Sequence, residues 1–350
     1  MEDRSMDLSS TSQLIPLRIK AVFWILLGVL SVLLAEVVPN SSPFPFFSLW
    51  GLISLVPLYS LQVLMLAYFT FGKKRVTFPT LFLAGAILGM YEAYLTKVLW
   101  DPTWGEKNFE FAGIYILQTC VLVFFWHPFM AYVLPVFLAE NLFTDSSETF
   151  STLPQKIQNL FSQKWIISMA IFSIYCAMYK IFGSLDWKTA LLSSSSNTAI
   201  LFGAAFLWRY VRGDCKLTFR DVLPTKTQAS VLGIFLLLIY LGMGLFIRPK
   251  ALPHTITPHL TVWLMYAALF ILLYFNIKHA PDHTNESQPS PIKSLAFRTG
   301  ITFAVIFITF SVLFFAIKTL TMILILISWL AGCILGLTII FRSARALYVK

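Results

Sequence analysis

Apolar residues along this chain gather into runs of about twenty, each closed by a short polar or turn-forming cluster. That is the length at which an α-helix crosses a hydrocarbon core roughly 30 Å thick. Read by this pattern, the sequence predicts helices over residues 19–38, 49–72, 77–99, 111–138, 165–183, 187–208, 228–247, 259–277, 296–316 and 320–341. Backbone N–H and C=O groups find no water in lipid, so runs of this kind cross as helices. The expected fold class is all-α, a polytopic transmembrane helix bundle of about ten spans. The expected organisation is a disordered tail at 1–18, an eight-span bundle at 19–277 that carries the polar pocket, a polar loop at 278–295, and a transmembrane hairpin with a basic tail at 296–350. The first run has the position of a signal peptide, but no small-x-small cleavage site follows it before Glu36, and it is expected to be retained.

Composition sharpens this picture. Of 350 residues, 58% are apolar and 12% charged, which excludes an ordinary soluble domain. The net charge of +10 is spread over short loops and forms no tract, so nucleic acid is not an expected partner. Nineteen of the twenty-six Lys and Arg residues fall on one side of the alternating spans, and the positive-inside rule places both termini in the cytoplasm. The cell (plasma) membrane is the expected location. Cys120, Cys176, Cys215 and Cys333 form no C-x-x-C pair and read as packing residues.

Ionisable groups at membrane depth carry the chemical information, because each is costly there unless it meets a partner or water. Glu92 is the strongest. Helical spacing puts Gly85, Gly89, Glu92, Ala93 and Thr96 on one side of the third span, a small-residue seam that draws a neighbouring helix onto the carboxylate. His127 precedes Pro128 in the fourth span, where the missing N–H frees the carbonyl near Phe124 and kinks the helix. Sequential helices are usually neighbours, so Glu92 and His127 are expected to meet. By helix rise their depths differ by about 10 to 15 Å, which a short or tilted entry to the fourth span would absorb. Glu36, Asp101 and Trp104 are expected to line a substrate or ion pathway at the outer mouth, and Glu140 to be a solvated end residue. The tetrad 193–196 with Asn197 is either a polar cavity lining or helix packing. His279 and His283 flank a loop, as do His254 and His259, and no metal site is expected.

Residues 36–47 with their Pro-Asn-Ser-Ser-Pro segment, Gly89-Met90-Tyr91-Glu92 with Asp101-Pro-Thr-Trp104, and His127 with Pro135 and Glu140 together resemble a family of uncharacterised multi-pass membrane proteins. The resemblance covers roughly residues 30–145. That family is in turn similar to the CAAX-prenyl-protease and bacteriocin-processing group, which implies a Glu-Glu pair and histidines around an intramembrane catalytic water. This chain departs from that group: Tyr91 precedes Glu92 where the group pairs two acids, Lys97 replaces an Arg, Val123 replaces a Phe, and no second intramembrane His-Asn or His-Asp is present.

Three roles stand open. In a membrane-embedded hydrolase, Glu92 activates water and His127 orients it, acting on a lipid-linked or transmembrane substrate that enters from the bilayer. In a transporter or permease, Glu92 carries a proton or cation. In a scaffold, the same groups only lock helices together. The chain contains no P-loop, G-x-S-x-G elbow or H-E-x-x-H, and neither a cofactor nor an oligomeric state is indicated.

Overall fold

The computed structural model of the protein describes residues 15–104, 109–183, 186–283 and 290–348. Most of the expected N-terminal tail and the centre of the polar loop at 278–295 lie outside these. The described residues form a bundle of long helices. They are α1 (Leu17–Val37), α2 (Gly51–Thr70), α3 (Phe78–Gly89, with a short continuation Tyr91–Tyr94), α4 (Ile116–Phe143), α5 (Gln155–Gly183), α6 (Trp187–Arg212), α7 (Lys226–Phe246), α8 (Ile256–Lys278), α9 (Ala296–Leu313) and α10 (Lys318–Ser343). Among the described residues the only sheet is a small hairpin, β1 (Glu110–Phe111) with β2 (Ile114–Tyr115), turned by Ala112 and Gly113 at φ +50° and +81°. The protein is an all-α polytopic membrane bundle.

Among the described residues eight stretches are long and apolar enough to cross a membrane, against the ten expected. Two features make the difference. Lys293–Leu347 holds two helices, α9 and α10, which run together through a 3-10 turn at Phe314–Ile317. The helix α3 has only 12 residues before it breaks at Met90, about 18 Å at 1.5 Å per residue, which is short of a hydrocarbon core.

The start of α1 and the end of α10 lie at the same face of the bundle, termed here the terminal face. Lys20 Nζ donates to the Leu223 carbonyl at 2.8 Å, and Asn276 at the end of α8 donates to the Ser343 carbonyl at 3.1 Å. The opposite, distal face carries the loops after α1, α3, α5 and α7. Burial sorts centre from edge: 78% of the apolar window of α4 is buried but only 11% of that of α7. So α4 is the core of the bundle, and α7 presents most of its surface to lipid.

The most extensive helix contact is that of α3 with the middle of α4. Glycine makes it. A Cβ on Gly85 would lie 2.6 Å from Pro128 Cα, and one on Gly89 would lie 3.1 Å from His127 Cβ and from the Leu122 carbonyl oxygen. The small-residue seam of α3 therefore seats on the broken part of α4.

Prolines at the wide winding of α1 and α4 interrupt the backbone ladder, and packing contacts lie beside three of these breaks. Ahead of Pro39, the Ala35 carbonyl accepts from Trp126 Nε1 at 2.9 Å; ahead of Pro135, the Ala131 carbonyl accepts from Ser31 Oγ at 2.6 Å. Beside Pro128, the backbone of α10 comes up against the Phe124 carbonyl, because a Cβ on Gly336 would fall 1.7 Å from its oxygen and only a Cα–H fits. Gly332, one turn earlier, lies equally close to the Phe125 ring, at 2.2 Å from a built Cβ. The pair is a G-x-x-x-G motif that lets two backbones touch.

The terminal face is closed by ion pairs. Arg220 pairs with Glu148 at 2.6 Å and donates to the carbonyls of Phe71, Gly72 and Lys74. Asp145 pairs with both Arg212 and Lys293. Glu140 is not the solvated end residue expected. It is wholly buried and accepts from the backbone N–H groups of Glu148 and Thr149, both at 2.8 Å, so it ties the end of α4 to the next turn. The serine tetrad is helix packing: Ser194 bonds Ser311 at 3.0 Å, while Ser195 and Ser196 cap carbonyls of their own helix.

Two outcomes follow. Gly336→Leu forces a side chain into the Phe124 carbonyl and should destabilise the detergent-solubilised protein by at least about 2 kcal/mol, whereas Gly203→Ala, whose Cβ meets nothing within 4 Å, should be neutral or stabilising by up to about 1 kcal/mol; thermal unfolding of both variants decides. Burial raises the Asp145 carboxyl, but hydrogen bonds from Lys293 and the Leu217 N–H and the charge of Arg212 outweigh it, so the carboxyl sits below its ordinary value. Its stabilisation is therefore complete above the ordinary Asp value of about 3.9 and is lost as pH falls through the depressed folded value. The stability gap between wild type and Asp145→Asn should be constant from neutrality to about pH 4 and close below it.

Candidate functional site

Three stretches of i→i+5 winding surround one point in the distal half of the bundle: Leu33–Val37 in α1, Gly51–Leu55 at the start of α2, and Leu122–Val133 in α4. Such winding is rare and costs helix geometry, and it redirects side chains that an α-helix would aim elsewhere. Glu36 stands on the first stretch, Tyr59 one turn beyond the second, and His127 on the third. Tyr91 and Glu92 come from α3 immediately after its break at Met90, whose N–H is shared between the carbonyls of Ala86 and Ile87, both at 3.2 Å.

These five side chains form one hydrogen-bonded chain. Ser41 Oγ donates to Glu36 Oε2 at 2.5 Å, and the Tyr59 hydroxyl donates to Glu36 Oε1 at 2.5 Å. The Tyr59 and Tyr91 hydroxyls are 2.6 Å apart, and His127 Nε2 lies 3.1 Å from Tyr91 and 3.3 Å from Tyr59. Glu92 Oε1 lies 3.4 Å from the same Nε2, and Thr96 donates to Glu92 Oε2. Glu92 and His127 are 6% and 2% exposed, so neither is solvated in the ordinary sense.

The proton positions follow from chemistry. His127 Nδ1 lies 3.0 Å from the Leu122 carbonyl, which can only accept, so Nδ1 carries a hydrogen. In the neutral imidazole Nε2 is then a bare acceptor facing Glu92, and a bare nitrogen and an ionised carboxylate repel. Nε2 therefore accepts either a proton held on Glu92 or the hydrogen of the Tyr91 hydroxyl. Tyr59 spends its hydrogen on Glu36, so the single Tyr91 hydrogen goes either to Tyr59 or to His127. The cluster can thus relocate a proton between Glu92 and Nε2 with a compensating turn of one tyrosine hydroxyl.

The depth difference expected between Glu92 and His127 is absorbed at the start of α4. Tyr115 N–H donates to the Leu99 carbonyl at 2.9 Å, which fixes where that helix begins. The wider winding of Leu122–Val133 also advances less per residue than an α-helix, so His127 lies nearer the distal face than α-helical rise would put it.

Of the other residues expected in a pathway, Glu36 joins the cluster through Tyr59, while Asp101 and Trp104 stand apart from it. Asp101 pairs with Arg248. Trp104 packs on Trp329 and Phe182 with ring centroids 5.2 and 6.2 Å away, and its carbonyl accepts from Gln118. Tyr59 and Tyr91 are the members sequence reasoning missed. Tyr91 occupies the position where the protease group has an acid, and here its hydroxyl leads on to a carboxylate from α1 instead.

Two buried lysines were also not foreseen. Lys180 Nζ donates to the Val37 carbonyl at 2.8 Å, Asn40 Oδ1 at 2.7 Å and Ser193 Oγ at 2.8 Å, and so pins the segment just after Glu36. Lys97, at φ +59°, donates to the carbonyls of Gly244 and Ile247 at the end of α7. His259 is not loop-borne as expected: it lies in the first turn of α8, bonded to the Tyr94 hydroxyl at 3.0 Å and stacked on its ring. Among the described residues no group of three His, Cys, Asp or Glu could hold a metal ion.

No solved structure matches this chain. A protein of Archaeoglobus fulgidus described as an uncharacterized protein is 35% identical over 270 residues, 77% of this chain and 82% of that one. The model of a family described as an uncharacterized membrane protein family matches residues 25–349. With nearly the whole helix bundle inside that match, the chain belongs to this membrane protein family.

Proposed function

We propose that the protein is a membrane-embedded hydrolase in which Glu92 and His127 work as an acid–base pair on a lipid-linked or transmembrane substrate. The observation that carries the reading is the single imidazole nitrogen, Nε2, facing one carboxylate and two hydroxyls while its partner Nδ1 is fixed on a carbonyl. Glu92 takes a proton from water as the water oxygen adds to a substrate carbonyl. His127, held in one tautomer, orients that water, and the proton passes from Glu92 to the leaving group as the tetrahedral intermediate collapses. The Tyr91 hydroxyl stands where it can donate to the developing oxyanion. Access supports local chemistry: the polar chain ends at Ser41, which is exposed, and at Thr96, which is partly exposed, both on the distal side, whereas toward the terminal face α2 continues with buried Val63, Leu64 and Ala67.

A second reading rests on the continuity of the chain from Glu36 to Glu92, which suits proton transfer in a coupled transporter. Glu92→Gln and Tyr59→Phe separate the two. In nanodiscs, with a panel of internally quenched peptides bearing a lipid anchor, hydrolysis predicts that Glu92→Gln lowers turnover by about 10²- to 10⁴-fold with an unchanged melting temperature, and that Tyr59→Phe retains most of it. Proteoliposome acidification abolished by either variant, with every peptide intact, establishes transport instead. Loss of melting temperature alone, with neither signal in wild type, reduces the cluster to a helix lock.

A further inference from the structure

The turn after α3 and the turn after α7 clasp each other at the distal face. Lys97 reaches the carbonyls of Gly244 and Ile247, and Arg248 reaches back to the carbonyls of Thr96 at 3.0 Å and Asp101 at 2.7 Å. Both residues hold left-handed backbone, φ +59° and +45°, which non-glycine residues adopt only where the surroundings over-determine it. Between the turns lies a cleft of about 620 Å³ walled by Trp100, Asp101, Arg248, Pro249, Lys250 and Ala251.

The charges there do not balance. Among the described residues that line it, Arg248, paired with Asp101, and Lys250, exposed at the rim, are two cations against one carboxylate, while Lys97 is buried behind the turn and meets only carbonyl oxygens. Trp100 is 8% exposed, and its indole N–H is buried without a hydrogen-bond partner, a donor that native structures seldom leave unused. A tryptophan beside arginine and lysine at a helix end is also the chemistry of the membrane–water boundary, where phosphate groups lie.

We infer that this cleft binds a phosphate-bearing anion, with Arg248 and Lys250 supplying the charge and the phosphate at the level of the lipid headgroups. Thr96 joins the cleft to the buried cluster: its carbonyl accepts from Arg248 and its hydroxyl donates to Glu92. Resting on the hydrolytic reading, the substrate then carries an anionic head that docks in the cleft, with the bond to be broken one helical turn deeper.

Binding is measured on the full chain carrying Glu92→Gln, so that it is scored independently of turnover. Native mass spectrometry from zwitterionic-detergent micelles should count one tightly held phosphatidylglycerol, absent with phosphatidylcholine. Lys250→Glu should weaken it by on the order of tenfold or more, and Lys188→Glu, an exposed lysine near the start of α6, should leave it within about twofold. Soluble glycerol 3-phosphate that displaces the lipid at similar concentration identifies the free anion as ligand, and failure to displace identifies the lipid. Equal weakening by the two lysine variants, equal binding of the zwitterionic lipid, or no bound lipid and no bound glycerol phosphate overturns the inference. A protein that hydrolyses its substrate yet fails these tests keeps the hydrolytic reading, and one that passes them without turnover keeps the cleft alone.

Discussion

A carbonyl oxygen deprived of its helical N–H inside a bilayer must find another donor, and two prolines impose that demand on the centre of this bundle. Trp126 answers for Ala35 and Ser31 for Ala131, while the bare Cα of Gly336 lets α10 approach the Phe124 carbonyl. Each answer comes from the other helix, so α1 and α4 can satisfy their backbones only in one mutual arrangement. The apolar effect contributes little between helices already in lipid, and such polar and close-backbone contacts are what remain to select it.

The candidate site is a product of that arrangement. Wide winding next to the prolines turns Glu36 and His127 inward, and the glycine seam of α3 brings Glu92 within 3.4 Å of the imidazole. The same close approach, Gly89 against Leu122 and His127, puts no side chain between the Leu122 oxygen and His127 Nδ1. Fixing that tautomer is therefore part of closing the helix packing, and no separate device is needed for it.

Around this core the charged residues divide by face. On the terminal face, Asp145, Glu148, Arg212, Arg220 and Lys293 pair with one another and staple loops together. On the distal face, Arg248 pairs with Asp101, while Lys97 and Lys180 donate to uncharged oxygens only.

Hydropathic length alone determined that the chain is a helical membrane bundle, because lipid admits no other way to satisfy a crossing backbone. Spacing determined that Gly85, Gly89, Glu92 and Thr96 share a side, since a 3.6-residue period is local information. The partners of those side chains were not local: Tyr59 lies 23 residues from Glu36, Gly336 some two hundred residues from Phe124, and Arg248 lies 147 residues from Asp101. Nor could the pattern tell that α3 stops after 12 residues, or that Glu140 is buried under backbone N–H donors, because hydropathy records how apolar a segment is and not what covers it. Only the tertiary structure decided which freed carbonyl meets which donor. Through those pairings it set the depth at which carboxylate, imidazole and hydroxyls come together.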